Sequence, residues 1–198
     1  MNSEDPDPVF YCDFAPGHEW HGPYHDTEYG FPVTDDRALF ERLILEINQA
    51  GLSWLTILKK REAFQRAFEG FDPARLARYG ARETRRLLSD AGIVRNRLKV
   101  EATIANAGTV LELQRSHGSF GRWLDAHLFV ESENGSRGPR RQRTREEWVR
   151  LFKRTFRFTG GEIVGEFLLS TGYLPGAHRE DCPAYRRIRR LRPPWMRR

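Results

Sequence analysis

Hydrophobic positions along this chain recur with a helical period almost throughout. Thr34 or Asp35 is placed to cap a first helix, which Gly51 ends and whose apolar face carries Leu39, Phe40, Leu43, Ile44 and Ile47. Ser53 is placed to open a second helix, with apolar positions at Trp54, Ile57, Leu58, Phe64 and Phe68. No segment alternates convincingly between apolar and polar residues, so the pattern predicts an all-α fold.

The rest of the chain continues this pattern. Asp72-Pro73 is typical of an N-cap followed by a proline in the first turn, and residues 82–90 and about 96–114 predict two helices separated by a break at Ala91-Gly92. A short helix is expected near 120–128, and Thr144-Arg145-Glu146-Glu147 is a capping box that opens another. A last apolar helix spans about 160–170, whereas residues 131–143 predict a loop.

Composition and charge narrow the function classes. The 198 residues suit a single domain, contain no apolar run long enough to span a membrane, and begin with an acidic segment unlike a signal peptide, so a cytoplasmic protein is expected. Lys and Arg number 33 against 27 Asp and Glu, a net charge of +6. Seven arginines fall within the last thirteen residues. Such a basic tail favours a polyanionic partner, although runs of like charge are often simply solvated.

Two cysteines and two histidines form pairs near opposite ends of the chain. Cys12 precedes His25 by thirteen positions, and His178 precedes Cys182 by four, which is one helical turn. Two thiolates and two imidazoles are a complete tetrahedral donor set for Zn²⁺. The alternatives are unrelated reduced thiols, or a Cys12–Cys182 disulfide that needs an oxidising compartment.

The segment from Leu88 to Lys99 indicates contact with nucleic acid. A helix ends, Gly92 allows a tight turn, and a basic helix begins with Arg95, Asn96, Arg97 and Lys99. Backbone N–H groups in such a turn and at a helix N-terminus attract phosphate. The segment is therefore typical of a helix-hairpin-helix DNA-binding element, and the alternative is an ordinary connection with a basic surface.

A carboxylate on an apolar helix face and a group of aromatics point to a ligand pocket. Glu46 lies beside the apolar stripe of the first helix, and Trp54 follows across the break. A glutamate near aromatic rings suits a planar cation, because the ring stacks while the carboxylate accepts its N–H groups. The alternative is a buried, internally paired glutamate beside a core tryptophan. Polar-tipped aromatics are dense between residues 10 and 29, at Tyr11, Phe14, Trp20, Tyr24 and Tyr29.

Taken in order, these motifs resemble the 3-methyladenine DNA glycosylase I family (Tag) of the helix-hairpin-helix glycosylase superfamily. The resemblance runs from about Tyr11 to Cys182. It is carried by Tyr24-His25-Asp26-x-Glu28-x-Gly30, by Gln49-Ala50-Gly51-Leu52-Ser53-Trp54, by Asp90 to Lys99, and by the four Cys and His positions. It implies a zinc site that ties the two ends of the chain together, with ligands Cys12, His25, His178 and Cys182.

The resemblance also implies a reaction. It predicts a base-excision repair enzyme that flips an alkylated purine from duplex DNA and hydrolyses its glycosidic bond. Glu46 is expected to be the catalytic residue, with substrate contacts from Phe14, Tyr24, Tyr29 and Trp54. Gly51 and Leu52 are expected to meet the gap left in the duplex, and the hairpin to bind DNA through Gly92, Arg95, Asn96, Arg97 and Lys99. No Asp occurs between Asp90 and Asp125, and no lysine is placed for Schiff-base chemistry, which favours a monofunctional hydrolase.

The predicted organisation is one glycosylase domain over residues 1–186, followed by a basic tail over 187–198. One lobe covers 34–130 with the hairpin near 87–106, and the other covers 10–30 plus 145–185 with the zinc site. The chain is expected to act as a monomer on DNA of the nucleoid. The competing hypotheses are a DNA-binding relative without excision activity or with altered specificity, and a helical scaffold with no nucleic-acid role. The first arises because five residues depart from the family pattern: Phe14, Tyr29, Ile47, Asn48 and Glu162.

Overall fold

The chain folds mostly into α-helices, as its hydrophobic pattern predicts. The computed structural model describes residues 10–131 and 140–198. In that part of the chain the helices are α1 His21–Thr27, α2 Asp36–Gln49, α3 Trp54–Ala67, α4 Pro73–Leu76, α5 Ala81–Ser89, α6 Arg97–His117, α7 Phe120–Ala126, α8 Arg145–Thr155, α9 Gly161–Ser170 and α10 Pro183–Arg190. Single 3-10 turns lie at Tyr11–Asp13, Glu69–Phe71 and Pro194–Met196.

The helices begin where the sequence supplies caps. The side chains of Asp35, Ser53, Asp72 and Thr144 each accept a hydrogen bond from a backbone N–H in the first turn that follows. Each cap thereby satisfies one of the donors that the first turn of a helix leaves unpaired. Asp35, and not Thr34, caps α2.

Helix α2 lies at the centre of the molecule and packs against α3, α6, α7 and α9. Its predicted apolar face is fully buried, and Leu45 is buried as well. Helices α7, α8 and α9 contribute five buried aromatic side chains to the same continuous core: Phe120, Trp123, Trp148, Phe152 and Phe167. Because core side chains are packed at close to crystalline density, α2 is a rigid support for any polar group that it carries.

The structure differs from the prediction in two pieces of regular structure. A two-stranded antiparallel ribbon pairs β1 Phe129–Val130 with β2 Arg141–Gln142, although no strand was expected. Residues 132–139 of the predicted loop lie outside the described residues. Helix α1 was also missed, because Gly22 and Pro23 weaken the helical signal of its sequence.

The basic tail begins inside a helix. Helix α10 extends to Arg190 and buries Ala184 and Ile188, which are one turn apart. An i, i+4 apolar pair is enough to hold one face of a short helix while its arginines face solvent. The division into two lobes stays a prediction; α2 and α9, assigned to different lobes, pack directly together. Among the described helices, none is both long and apolar enough to cross a bilayer.

Candidate active site

A cavity of about 350 Å³ lies among the N-terminal aromatic segment, α2, the start of α3, and α9. This volume falls within the range of small-molecule sites. The five residues predicted to meet the base all line it, namely Phe14, Tyr24, Tyr29, Glu46 and Trp54. The structure therefore brings together side chains that are up to forty positions apart, and their roles in binding stay predictions.

Glu46 is a buried acidic group that lines this cavity. Its side chain belongs to the buried face of α2 and is 4% exposed. The carboxylate makes no hydrogen bond with any residue that the structure describes. Burial and, to a lesser extent, the charge of Glu166 raise the pKa of Glu46 to about 8. An unpartnered carboxyl group facing a cavity is an acceptor held ready for a ligand.

Trp54 supplies a flat wall at the start of α3. Its ring lies 5.1 Å from the ring of Tyr24, centroid to centroid. The indole Nε1 is buried and has no hydrogen-bond partner within residues 10–131 and 140–198. A rigid ring with an unused donor can stack on a planar ligand and can also bind its edge.

Tyr24 is held in place by a chain of ion pairs behind the cavity. Arg42, which is 5% exposed, donates from Nη1 to the Tyr24 hydroxyl at 2.6 Å and from Nη2 to Glu28 at 2.9 Å. Arg61 donates to the other oxygen of Glu28 at 2.6 Å. Burial raises the pKa of Tyr24, so the phenol is neutral, and its oxygen already accepts from Arg42. Its O–H is thereby left to donate into the cavity.

Several cavity residues were not among the predicted contacts. Tyr11 and His21 line the wall, with the Tyr11 hydroxyl 2.7 Å from His21 Nδ1. Glu166 of α9 also enters the cavity and accepts a hydrogen bond of 3.2 Å from the Tyr29 hydroxyl. A signal for Glu166 was present, because it lies between apolar residues in the middle of a helix, the same pattern that identified Glu46.

Three departures from the family pattern lie away from the cavity wall. Ile47 is fully buried in the core, and Asn48 is buried with its amide donating to the Ile44 carbonyl. Glu162 is 90% exposed and pairs with Arg145. The carboxyl group of α9 that does line the cavity is one turn further on, at Glu166.

The four Cys and His residues converge at one buried point. Their donor atoms all lie within 4.8 Å of one another, and Cys12 and Cys182 do not form a disulfide. Three of the four S–N separations are 3.4, 3.6 and 3.7 Å, and the two imidazole nitrogens are 3.2 Å apart. A tetrahedral Zn²⁺ with ordinary bond lengths separates such donors by about 3.6 Å (S–N) and about 3.3 Å (N–N). The donor set fits zinc in type and number, and these four separations match its spacing.

The outer contacts of the two histidines also suit a metal. His25 Nε2 and His178 Nδ1 face the other donors, and the opposite nitrogens contact Asp26 Oδ1 at 2.8 Å and the Tyr29 carbonyl at 2.7 Å. Oxygen acceptors behind the rings fix the tautomer that presents a lone pair to the metal. Burial lowers the pKa of His178, which favours the neutral form that binds metal.

The metal-type cluster and the cavity share a wall. Tyr11 and Phe14 flank Cys12, and Tyr24 precedes His25 in the sequence. The Tyr29 backbone contacts His178 while its ring lines the cavity. Any change that loosens the cluster is therefore expected to move the aromatic wall.

Helices α5 and α6 and the turn between them have the predicted sequence positions. Lys60 of α3 donates to the carbonyls of Ala91 and Gly92 at 2.9 and 3.3 Å, which fixes the turn. Gly92 is needed for space, because a Cβ there would lie 2.9 Å from Asp90 Oδ1 and 3.0 Å from the Ala63 side chain. Arg95 and Arg97 at the start of α6 are exposed.

Lys99 and Asn96, both predicted to contact DNA, form hydrogen bonds within the fold. Lys99 is 5% exposed, and its Nζ donates to the carbonyls of Asn48 and Ala50 at 2.8 and 2.6 Å. These carbonyls end α2, where the helix dipole favours a cation. The Lys99 amino group is therefore engaged within the fold, and its contact with phosphate stays a prediction. The side chain of Asn96 caps α6 by accepting from the Lys99 N–H, although Asn96 itself is exposed.

The turn after α2 presents Gly51 and Leu52 to solvent. Gly51 has φ of +80°, a left-handed conformation that favours glycine, and Leu52 is 40% exposed. A large apolar side chain held out on a tight turn beside a cavity is an unusual exposure. Lys99 anchors this turn from the inside through the carbonyls just described.

The sequence is similar to one protein family over most of its length. The methyladenine glycosylase family model matches residues 16–185. The chain belongs to the methyladenine glycosylase family. It is 36% identical over 168 residues to DNA-3-methyladenine glycosylase 1 of Escherichia coli K12, covering 82% of this chain and 89% of that protein. It is 34% identical to DNA-3-methyladenine glycosylase of Haemophilus influenzae, covering 81% and 89%.

Solved structures of methyladenine glycosylases have the same fold. A variant of 3-methyladenine DNA glycosylase I in complex with 3-methyladenine superposes with a TM-score of 0.76 at 34% identity, covering 88% of this chain and 96% of that one. The glycosylase of Staphylococcus aureus, whose structure concerns 3-methyladenine recognition, gives a TM-score of 0.74 at 34% identity, covering 88% and 95%. The predicted family is confirmed.

Proposed function

We propose that this protein is a monofunctional DNA glycosylase that hydrolyses the N-glycosidic bond of alkylated purines of the 3-methyladenine type. The observation that carries the proposal is Glu46, a buried carboxyl group that has no hydrogen-bond partner among the described residues and faces a cavity walled by aromatic rings, in a chain of this family. N3-methyladenine is a planar cation, and its charge makes it a good leaving group. Recognition of shape and charge is therefore the main task of the pocket.

Each side chain of the cavity has a defined part in this proposal. Glu46 accepts N–H groups of the flipped base and balances its positive charge, and Trp54 stacks on its face. Tyr24, fixed by Arg42, donates its free O–H to the base edge. Phe14 and Tyr29 close the aromatic wall. Because the base already carries the charge that weakens the glycosidic bond, attack by water at the sugar carbon needs little acid catalysis.

The DNA partner is duplex DNA with a flipped nucleotide. Leu52 would fill the space that the extruded base leaves, and the turn with Gly51 would bring it there. We infer that α5, the turn with Gly92, and the start of α6 act as a helix-hairpin-helix element in which Arg95 and Arg97 meet phosphates. Such contacts serve all sequences alike, as a protein that must search the nucleoid for rare lesions requires. The protein is proposed to act as a monomer.

We also infer that Cys12, His25, His178 and Cys182 hold one Zn²⁺. Four protein donors leave no coordination position for water, so the metal would be structural. It would hold the aromatic N-terminal segment against the segment before α10. In doing so it would support the wall that Tyr11, Phe14 and Tyr29 build.

The experiment that tests the function is identification of the bases released from methylated duplex DNA. Purified protein should release 3-methyladenine, seen by mass spectrometry, and leave abasic sites without strand cleavage. Salt-dependent binding to duplex DNA with no base released would instead identify a non-catalytic relative. Strand cleavage at the abasic site would contradict the monofunctional assignment.

A further inference from the structure

Two carboxyl groups enter the same cavity from two helices that pack together. Glu46 comes from α2 and Glu166 from α9. The cavity volume of about 350 Å³ places both groups within reach of a single ligand of purine size. The proposed recognition of a cation uses only Glu46, so Glu166 has no part in it.

Within residues 10–131 and 140–198, neither carboxyl group forms a direct ion pair. Among these residues Glu46 has no hydrogen-bond partner, and Glu166 accepts only from the neutral hydroxyl of Tyr29, at 3.2 Å. The nearest cations are directed elsewhere, since Arg42 bonds to Tyr24 and Glu28, and Arg145 to Glu162. The charged and titratable groups that face this pair are Tyr11, Tyr24, Tyr29, Arg42, Arg145 and Glu162.

Two negative charges in one partly buried cavity repel each other, so ionising both costs more than ionising one. One proton then stays on the pair, whose two groups titrate together. The directions of the shifts agree with this, because burial raises the pKa of both groups, and the charge of Glu166 raises that of Glu46 further. The pocket therefore contains one carboxylate acceptor and one carboxyl O–H donor near neutral pH.

We propose that Glu46 and Glu166 act as a carboxyl–carboxylate pair that protonates a flipped purine, so that this protein also releases uncharged modified purines. The inference rests on the proposed glycosylase function and extends its substrate class. A cationic base leaves without help, but an uncharged purine is a poor leaving group until a ring nitrogen accepts a proton. Hypoxanthine is a suitable member of the class, because O6 and N7 are both acceptors that a carboxyl O–H can meet.

The step balances within the site. The carboxyl O–H proton moves to a ring nitrogen of the purine as the bond from the sugar carbon to N9 breaks, and the bonding electron pair leaves with the base. Water then forms the new bond at the sugar carbon and returns one proton to the carboxylate pair. The products are the free purine and an abasic sugar, with no other reactant consumed.

The test compares two lesions in matched duplexes under single-turnover conditions. One duplex carries 3-methyladenine and the other hypoxanthine opposite thymine, and base release is measured from pH 6 to pH 10. Wild type should release both, and the hypoxanthine rate should fall about tenfold per pH unit above the upper pKa of the pair, because the acid form is lost. The 3-methyladenine rate should not fall in this way, because release of the cationic base needs no proton from the pair.

The decisive variant is Glu166→Gln, which keeps the shape and hydrogen-bonding oxygen of the side chain but removes the second charge that keeps a proton on the pair. It should lower the ratio of hypoxanthine to 3-methyladenine release on the order of 100-fold, the usual worth of a general acid. Glu112→Gln, which removes one exposed charge from α6, is the matched control and should leave the ratio unchanged. Thermal melting of each variant establishes that it is folded.

Each result bears on one of the two claims. Release of 3-methyladenine without hypoxanthine, or a Glu166→Gln ratio equal to that of wild type, would overturn the proton-donating pair and leave the proposed function standing. A hypoxanthine rate that does not change with pH would do the same. Failure to release 3-methyladenine in any form of the assay would instead overturn the proposed function itself.

Discussion

Glu46 shows at the scale of one residue how a site is placed at the expense of stability. A carboxyl group within an apolar helix is desolvated on folding, and no partner in the described chain compensates for this. Unpartnered buried acids of this kind cluster at functional sites, because a ligand supplies the missing partner. Glu166 and the indole N–H of Trp54 are also desolvated on folding. Glu166 has one hydrogen-bond partner, Tyr29, and the indole N–H has none among the described residues.

This predicts an unusual dependence of stability on pH. A group whose pKa is raised from 4.5 to about 8 on folding binds its proton more tightly in the folded state, so the free energy of unfolding falls as pH rises through that window. Glu46→Gln cannot ionise and escapes this loss. It should be more stable than wild type at pH 8 by up to a few kcal/mol, and little different at pH 4.5.

Urea unfolding of the two proteins at both pH values is the measurement. Glu112→Gln controls for the loss of one exposed negative charge and should show no such divergence. If Glu46→Gln is destabilised equally at both pH values, Glu46 is paired in the native protein and does not await a ligand.

At the scale of elements, Lys99 and Arg97 separate two kinds of basic residue. Both lie in the first turn of α6, but Lys99 points inward to the end of α2, whereas Arg97 is 65% exposed beside Glu101. The sequence shows only that both are basic. Which one faces solvent depends on how α6 packs on α2, a tertiary contact that helical periodicity alone does not determine.

Substitution of each residue should therefore have opposite effects. Lys99→Met removes two hydrogen bonds from a charged donor and should lower the free energy of unfolding by about 2–3 kcal/mol. The salt dependence of DNA binding should be retained. Arg97→Ala should leave stability within about 0.5 kcal/mol of wild type, and should reduce the slope of log affinity against log salt by about one.

Chemical denaturation and salt titrations of duplex binding measure the two quantities. The assignment of Lys99 to the fold fails if Lys99→Met melts like wild type but loses one unit of salt slope. A matching failure for Arg97 would remove the start of α6 from the proposed DNA surface.

Local signals predicted most of the helices, and the remaining elements needed tertiary information. Caps such as Ser53 and Thr144 have a local mechanism, so the helices that follow them were predicted correctly. Helix α1 contains Gly22 and Pro23, and α10 has arginine at half of its eight positions, so both lack a clear local pattern. The two helices are held in place by packing against each other.

The site was predictable to a similar degree. The aromatic wall and Glu46 were found because their residue types are conspicuous, and the structure brings them to one cavity. Glu166 was overlooked in favour of Glu162, since a sequence does not show which turn of α9 faces the cavity. Tyr11 was noted only as part of an aromatic group, and His21 was not predicted to contact the ligand.

At the scale of the whole molecule, the Cys and His cluster joins segments more than 150 residues apart in the sequence. A metal bound by these four residues would bind the folded chain far better than the unfolded one, and so would stabilise the fold. Purified protein should contain about one zinc per chain. Removal of the metal by a chelator should lower the melting temperature and should reduce base release as the aromatic wall loosens.

Metal analysis with two variants tests this. Cys182→Ser should lose zinc and melt earlier, while the control His117→Ala, which changes an exposed histidine at the end of α6, should retain both metal and stability. A metal-free preparation with the melting curve of wild type, or a Cys182→Ser variant that melts normally, would contradict the structural zinc.

We propose that the buried Glu46 recognises a cationic purine. The most direct test of this role is the rate at which 3-methyladenine is released in a single turnover. The rate is measured for wild type and Glu46→Gln on the same alkylated duplex, with enzyme in excess. Wild type should release 3-methyladenine, and the release rate of Glu46→Gln should be about 10- to 100-fold lower, since a hydrogen bond to a charged partner contributes about 1.5–3 kcal/mol. Equal rates for the two folded proteins would contradict it.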